Sequence, residues 1–286
     1  MIQQKPMRIS AACQTFNVSR SSFYRWQNRE ELTDAGIHVR KEIHDIALEF
    51  PKYGYRRVRH ALRRKGKIVN AKRILRIMRE ENLLVRRKKY KPKTTQSNHG
   101  LPKYSNLTKG FVLKNINQIW VADITYIVLG KGFVYLATIM DLYSRRCIGW
   151  ALSRNPNTQL TLDALNMAIA LRGKQNVKDC IHHSDQGVQY AAKDYVERLL
   201  DVGMKSSMGE KGNSYENAHA ESFFKTLKNE EVWMNEYETM EDVYRNLKRF
   251  LEEVYNKKRL HSSIGYSTPI EFEKAKTEGL NIKTEA

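Results

Sequence analysis

The chain has little of what builds cross-linked or membrane-embedded proteins. Its three cysteines, Cys13, Cys147 and Cys180, are odd in number and far apart, which excludes a disulfide framework and a cysteine-based zinc site and is typical of a reducing cytosol. No apolar run approaches the roughly 18 residues of a membrane span, and the N-terminus has no signal-peptide core. We therefore expect a cytoplasmic protein without a membrane partner.

Two catalytic signatures are also missing from the sequence. There is no glycine-rich phosphate loop and no nucleophile elbow with a central serine, which argues against nucleotide hydrolysis and acyl transfer. Apolar residues make up 41% of the chain, so general disorder is excluded. A length of 286 residues exceeds that of a typical single domain and predicts two or more folded units.

Positive charge is present in excess, and it is confined to one part of the chain. Residues 1–110 hold 27 Lys and Arg against 8 Asp and Glu, whereas residues 111–286 hold 23 of each. A basic excess limited to one third of the length is the electrostatic footprint of a polyanionic partner. We expect that partner to be double-stranded DNA.

Residues 1–35 are predicted to form a helix-turn-helix DNA-binding segment. Two short helices are separated at Asn17, and Ser19 is positioned to cap a second helix that begins at Arg20. In a helix-turn-helix the second helix reads DNA, so Arg20 and Arg25 are candidate DNA contacts. An ordinary helical hairpin with a solvated basic face is the alternative.

Residues 36–88 are predicted to form a second helical DNA-binding domain, because apolar residues recur there at helical spacing with many basic residues between them. The candidate DNA contacts are Arg56, Arg57, Arg63 and Arg64. Residues 89–110 have almost no apolar content and are predicted to be a basic linker, either following the DNA backbone or serving as a flexible tether.

Residues 111–230 change to short β-rich runs interleaved with helices, an order that predicts an α/β domain. The predicted strands include 119–128, 132–140 and 147–152, with Gly130 and Gly132 as the hairpin signal between the first two. A single helix is predicted over 191–202, and the last helix of the unit runs to Glu230. Residues 231–286 are expected to be a helical C-terminal extension.

Three carboxylates of this domain stand at unusual places. Asp123 interrupts an apolar and aromatic strand, where an unpaired charge would cost several kcal/mol, so it needs a cation. Asp185 follows a strand at a glycine turn, where α/β sheets place ligands. Glu221 lies on one arc of an amphipathic helix. That arc also carries Asn217, Lys225 and Lys228, which we take as candidate DNA contacts.

Oxygen ligands of this kind select Mg²⁺ or Mn²⁺, and two such ions can support in-line phosphoryl transfer. We therefore take Asp123, Asp185 and Glu221 as candidate catalytic and metal-binding residues. Any one of them taken singly would be read as a structural acid, and Asp141, Asp163, Asp194 and Glu216 are interpreted as solvated or capping carboxylates.

The adjacent histidines His182 and His183 invite a zinc interpretation, but no second His or Cys pair lies at ligand spacing. We expect one of the two rings to pack inward and the other to reach the rim of the site.

The sequence resembles the larger-frame (OrfB-type) transposases of bacterial insertion sequences of the IS3 family, within the retroviral-integrase-like DDE group. The similarity covers nearly the whole chain. Its strongest stretches are WVADITY from Trp120, HSDQGVQY from His183, NAHAESFFKTLK from Asn217, and the C-terminal run from Tyr255 to Pro269.

The resemblance implies a ribonuclease H-like catalytic core with Asp123, Asp185 and Glu221 as its metal-binding triad, and a contact between Lys228 and end DNA. It also implies a homo-oligomer on DNA and an upstream small-frame product as fusion partner or regulator. Glu216 stands where an Asp is common and His219 where a small apolar residue is usual. We expect the protein to act at the bacterial nucleoid.

Three functions remain open at this point: a DNA transposase that cleaves and joins strands at the ends of an insertion sequence, a non-catalytic remnant that binds those ends and represses, and a plain ribonuclease H-like nuclease. Intact acids at all three positions argue against a remnant. A plain nuclease leaves the basic third of the chain unexplained.

Overall fold

The computed structural model describes residues 9–27, 34–85, 102–209 and 218–279. The N-terminal third is helical, as predicted. Its helices are α1 (Ile9–Thr15), α2 (Arg20–Gln27), α3 (Asp34–Glu49), α4 (Tyr55–Arg64) and α5 (Ala71–Glu80).

The first two helices are joined by a tight turn. Asn17 adopts a left-handed conformation there, with a φ of 49°, which an asparagine tolerates. The Ser22 backbone N–H donates to the Ser19 hydroxyl at 3.0 Å, so the predicted cap of α2 is confirmed. Arg20 is exposed, whereas the side chain of Arg25 lies outside the described residues.

Helices α3 to α5 form a small unit with its own apolar centre. Ile43, Val58, Leu62, Ile74 and Met78 are all completely buried in it. Most of the basic residues of α4 and α5 are exposed on the other side of the helices, which gives both helices a strongly amphipathic character. The apolar spacing of residues 36–88 therefore predicted the correct packing face.

The second half of the chain is built on a five-stranded mixed sheet. Its strand order is β3-β2-β1-β4-β5, in which β1 pairs antiparallel with β2 and parallel with β4. Strands β2 and β3 pair antiparallel, and β4 and β5 pair parallel. The strands are β1 (Ile119–Val128), β2 (Phe133–Asp141), β3 (Cys147–Ser153), β4 (Ile181–Ser184) and β5 (Lys205–Met208).

Helices cover both faces of this sheet, so its central strands are buried on both sides. One face packs against α6 (Thr158–Arg172) and α8 (Lys193–Asp201), with the short helix α7 (Val188–Ala191) before α8. The sequence predicted a single helix over 191–202; instead the chain breaks at Ala192, whose ψ of 141° is extended. Helix α6 lies very close to β3, because a Cβ on Gly149 would come within 2.2 Å of the Ala164 carbonyl oxygen.

The opposite face packs against α9 (Ala218–Glu230), α10 (Met240–Lys248) and a π-helical turn at Arg249–Tyr255. The last described helix is α11 (Pro269–Thr277), and Thr268 caps its N-terminus in a capping box with Glu271. In the described ranges, no helix is both long and apolar enough to cross a lipid bilayer.

The C-terminal segment also packs against the N-terminal helical unit. Leu260 is buried within the apolar cluster of α3 to α5, and its backbone N–H donates to the Tyr53 hydroxyl at 2.8 Å. Arg57 donates from Nε to the Leu260 carbonyl at 3.1 Å. These contacts join the basic third of the chain to the α/β half.

Candidate active site

The pleat of β1 determines where Asp123 points. Ile119 and Val121 belong to the apolar cluster that contains α9, whereas Trp120 and Ala122 belong to the cluster on the opposite face. Because side chains alternate along a strand, Asp123 lies on the α9 side. Its carboxylate Oδ1 accepts the Ile124 backbone N–H at 2.8 Å.

The parallel register of β1 and β4 brings Asp185 beside Asp123. Val121 pairs with His183, and each aspartate lies two residues further along its own chain. Neighbouring strands are about 4.8 Å apart, so Asp123, inside β1, lies beside Asp185, which follows the end of β4. Asp185 Oδ1 accepts the Gly187 backbone N–H at 3.0 Å, which stabilises the turn after β4.

Glu221 approaches from above the sheet on the first turn of α9. Ala220, Phe223, Phe224 and Leu227 are buried on the opposite side of the helix, so the predicted apolar arc of α9 is confirmed. Glu221 itself is exposed. A carboxylate in a first helical turn is favoured by the helix dipole.

The three carboxylates influence one another electrostatically. Burial and the charges of Asp185 and Glu221 together raise the pKa of Asp123 to about 8, against the opposing effects of the Ile124 N–H and Lys228. Asp185 and Glu221 therefore both lie close enough to Asp123 to disfavour its ionised form. Such crowding of like charges is relieved by a cation.

The donor set at this position suits a hard divalent cation. All three groups offer carboxylate oxygens, the ligands that Mg²⁺ and Mn²⁺ prefer. Among the described residues, no three His, Cys, Asp or Glu side chains are already arranged as a metal-binding group. Of the three carboxylates, Glu221 is the most exposed.

Lys228 lies beside the carboxylates on the same helix as Glu221. Its ammonium is 5.0 Å from the centre of the Tyr126 ring, a cation–π contact that holds it above β1. Burial lowers the pKa of Lys228, while the charge of Asp123 acts in the opposite direction. Lys225 is exposed one turn after Glu221, and Asn217 lies outside the described residues. The sequence did not single out Tyr126, whose only signal was its place three residues after Asp123.

Both histidines before Asp185 are buried, so the expectation that one reaches the rim of the site is wrong. His182 is hydrogen-bonded from Nε2 to the Tyr195 hydroxyl at 2.9 Å, and His183 from Nδ1 to the Ser207 hydroxyl at 2.9 Å. The reason is that β4 lies between β1 and β5 with helices on both faces, so neither side of the strand meets solvent.

The four arginines predicted to contact DNA from the second helical unit fall into two groups. Arg56 and Arg63 are exposed. Arg57, by contrast, is half-buried against Leu260, and Arg64 is bound to Glu271 of α11 through both guanidinium Nη atoms. Arg57 and Arg64 thus have partners within the protein, which the sequence did not predict because those partners are more than 200 residues away.

Family descriptions match most of the chain. "Integrase core domain" matches residues 114–214 and again 202–269, and "HTH-like domain" matches residues 31–91. The second match covers α3 to α5 and begins after α2. Among solved structures, the HTLV-2 integrase catalytic core domain in complex with magnesium matches with 16% identity and a TM-score of 0.43, over 56% of this chain and 97% of that one.

Curated relatives match over nearly the full length. The insertion element IS600 uncharacterized 31 kDa protein of Shigella sonnei is 37% identical over 91% of this chain and 96% of its own. Transposase InsF for insertion sequence IS3A of Escherichia coli is 33% identical over 94% of this chain and 95% of its own length. The transposase for insertion sequence element IS904 of Lactococcus lactis is 35% identical over 78% of this chain and 88% of its own length. The chain has an HTH-like domain followed by an integrase core, and it belongs to the IS3 family of insertion-sequence transposases, enzymes of the DDE polynucleotidyl transferase type.

Proposed function

We propose that this transposase cleaves and joins DNA strands at the ends of its insertion sequence with Asp123, Asp185 and Glu221 as the catalytic carboxylates. The observation that carries the proposal is the register of β1 and β4, which sets Asp123 beside Asp185, together with the electrostatic effect of Asp185 and Glu221 on Asp123. It supports a common site for three residues that come from a strand, a strand end and a helix, although 61 residues separate the first two.

The carboxylates would hold Mg²⁺ or Mn²⁺, in a pair of ions. Two such ions roughly 3.5–4 Å apart supply, when bound, charge stabilisation for the attacking and leaving oxygens of an in-line displacement. Asp123 and Asp185 present their oxygens from neighbouring strands with backbone N–H groups holding one oxygen of each. Glu221 completes the set from α9.

Cations on the same helix would position the DNA. Lys228 is fixed over Tyr126 beside Asp123, so it can hold a backbone phosphate near the carboxylates without competing for their oxygens. Lys225 is exposed on the adjoining surface, and we infer the same role for Asn217. The attacking group is a water for strand cleavage or a DNA 3′-hydroxyl for joining, so joining needs no external energy source.

The test is a strand-transfer assay with the full chain and duplex DNA that carries the element's ends. In Mg²⁺ or Mn²⁺ we expect cleavage at the ends and joined products, and in EDTA neither. A duplex with scrambled end sequences is the control. Binding without any product in either metal would identify a non-catalytic binder, and equal cleavage of both duplexes would identify a plain nuclease.

We propose the domain limits 1–35, 36–88, 89–110, 111–230 and 231–286 for the DNA-binding segment, second helical domain, linker, core and extension. Bringing two DNA ends together also calls for a homo-oligomer on DNA, acting at the nucleoid in the bacterial cytoplasm. The upstream small-frame product is a further candidate partner. Co-purification of tagged and untagged copies on end DNA tests the oligomer.

Salt titration tests how the basic third grips DNA. Replacing Arg63 and Lys65, both exposed, with glutamine should reduce the slope of log Kobs against log salt by about 1.8, because each lost phosphate contact removes about 0.9 on B-DNA. Replacing Arg64 should change the slope less, since Glu271 already neutralises it. Both variants should weaken binding to end and random DNA equally.

The preference for end DNA over random DNA should instead depend on α2. The variant that tests this replaces Arg20 and Arg25 with alanine. Because a recognition helix contacts base edges, this variant should reduce the difference in binding affinity between end DNA and random DNA. An unchanged difference in affinity would mean that helices α3 to α5, where the HTH-like match lies, recognise the bases instead of α2.

A further inference from the structure

A second polar site lies on another side of α9 from Glu221. A cavity of about 210 Å³ opens where α4, α9 and the C-terminal segment meet. At 100° per residue, its α9 residues His219 and Ser222 are roughly 160° and 100° around the helix from Glu221. The cavity is therefore separate from the carboxylates. Its polar lining includes Arg57, Arg145, Arg259, His219, His261 and Ser222.

The cavity holds more positive charge than the neighbouring carboxylates neutralise. Arg259 is paired with Glu230 through Nε at 2.7 Å and Nη2 at 2.8 Å. Within the described residues, neither Arg57 nor Arg145 has a carboxylate oxygen within 4.0 Å. Burial lowers the pKa of both guanidinium groups. Two half-buried charges without an ion pair favour an anion between them.

A buried imidazole adds an unsatisfied donor. His261 is only 7% exposed, and its Nδ1 lies 3.3 Å from Arg259 Nη1. Arginine can only donate, so Nδ1 is the acceptor and the ring hydrogen of a neutral imidazole resides on Nε2. Among the described residues, His261 Nε2 has no hydrogen-bond partner. Burial and the charges of Arg259 and Arg57 hold the pKa of His261 well below its usual range, against the opposing effect of the Tyr255 backbone, so the ring is neutral.

The same logic applies to the histidine at the start of α9. His219 Nδ1 lies 2.6 Å from Arg145 Nη1, so it too accepts from an arginine and carries its hydrogen on Nε2. The cavity thus combines three guanidinium groups with two imidazole N–H donors and a serine hydroxyl. Such a donor-rich, cationic lining matches the oxygens of a phosphate.

We propose that this cavity binds one backbone phosphate of the DNA substrate. Its volume equals roughly seven water molecules at about 30 Å³ each, enough for a phosphodiester group. The proposal rests on the proposed function only for the source of the phosphate, since a transposase meets that chemistry in DNA. A phosphate held there would connect Arg57 of α4 to α9, the helix that carries Glu221.

The first test measures DNA binding by the full chain in EDTA over a series of salt concentrations. Arg145→Gln should reduce the slope of log Kobs against log salt by about 0.9, the value for one phosphate contact. Arg245→Gln makes the same charge change on α10, where the side chain is 72% exposed and away from the cavity, and should keep the wild-type slope. A wild-type slope in Arg145→Gln overturns the proposal.

The second test uses inorganic phosphate and does not depend on Arg145. Phosphate should raise the thermal midpoint of the wild-type chain relative to chloride at equal ionic strength. Ser263 is exposed at the cavity, so Ser263→Asp should fold, place a carboxylate among the guanidinium groups, raise the midpoint without phosphate and remove the response to phosphate.

An unchanged phosphate response in Ser263→Asp overturns the site, as does a wild-type chain that phosphate does not stabilise. A phosphate response together with an unchanged DNA salt slope means that the cavity takes free phosphate, which overturns the assignment to DNA. No measurement here contains a divalent metal. Failure of strand transfer would therefore leave this result intact, and failure here would leave the catalytic proposal intact.

Discussion

Asp185→Asn is expected to abolish strand cleavage and joining by the full chain while leaving binding to end DNA largely intact. The amide keeps the shape of the side chain but removes a unit of negative charge beside Asp123. A divalent ion at such a site contributes several kcal/mol to transition-state stabilisation. Because each 1.36 kcal/mol is a factor of ten in rate, the loss should reach about 10³-fold or more.

The same substitution should not weaken the fold, which separates a chemical effect from a structural one. Asp185 raises the pKa of Asp123 through repulsion between like charges, so its neutralisation removes an unfavourable interaction. We expect a thermal midpoint equal to or above that of the wild type without metal. Asp163→Asn, the same change at an exposed position of α6, is the matched control and should retain activity.

End-labelled duplex resolved on a denaturing gel measures the cleavage, and a mobility-shift titration measures the binding. Substantial cleavage by purified Asp185→Asn would mean that another carboxylate takes the place of Asp185. Glu216 lies outside the described residues, and it would be the first to be replaced.

The strands of the core could be predicted because their signal is local. Strand β1 begins and ends where the apolar and β-branched run predicted it, at Ile119 and Val128, and the predicted hairpin at Gly130 and Gly132 joins β1 to β2. The proximity of Asp123 and Asp185 depends instead on the parallel pairing of β1 with β4, two strands far apart in the sequence. It was expected from the resemblance to the transposase family, because no local pattern predicts that pairing. The buried arc of α9 could be read from helical periodicity alone.

Contacts between residues far apart in the sequence could not be predicted from local patterns. Asp141 was interpreted as a solvated or capping carboxylate, yet it is completely buried and accepts the backbone N–H groups of Asn117, Tyr143 and Ser144. No spacing in the sequence relates it to Arg172. The partners of Arg57 and Arg64 could not be predicted either. Basic residues at helical spacing show the same pattern whether they contact DNA or a distant segment of the chain.

Arg172→Met is expected to lower the free energy of unfolding by about 3–5 kcal/mol, the usual cost of removing one partner from a buried ion pair. Arg172 ends α6 and is 7% exposed, and Glu273 of α11 is 8% exposed. Arg172 Nη1 donates to Glu273 Oε2 at 2.9 Å, and Nη2 lies 3.8 Å from Asp141 Oδ2. Methionine keeps the apolar stem but leaves Asp141 without its cation and Glu273 dependent on Arg146 and Ser144.

The pH dependence of this loss identifies its cause. Burial raises the pKa of Glu273, but the hydrogen bond and charge of Arg172, with smaller effects of Ser144 and Arg146, together more than offset it, so the pKa lies below its usual range. A depressed carboxyl pKa contributes stability above the unfolded value, about 4.3, and loses it as the pH falls through the folded value. The gap between wild type and Arg172→Met should therefore be full at pH 7 and shrink below about pH 4. Arg198→Met, which removes a hydrogen bond to neutral Asn166 on the surface, should cost about 0.5 kcal/mol at both pH values. Urea unfolding of the three proteins at pH 7 and at about pH 3 measures these differences in the free energy of unfolding. A difference between wild type and Arg172→Met that stays constant with pH would assign the loss to packing instead of charge.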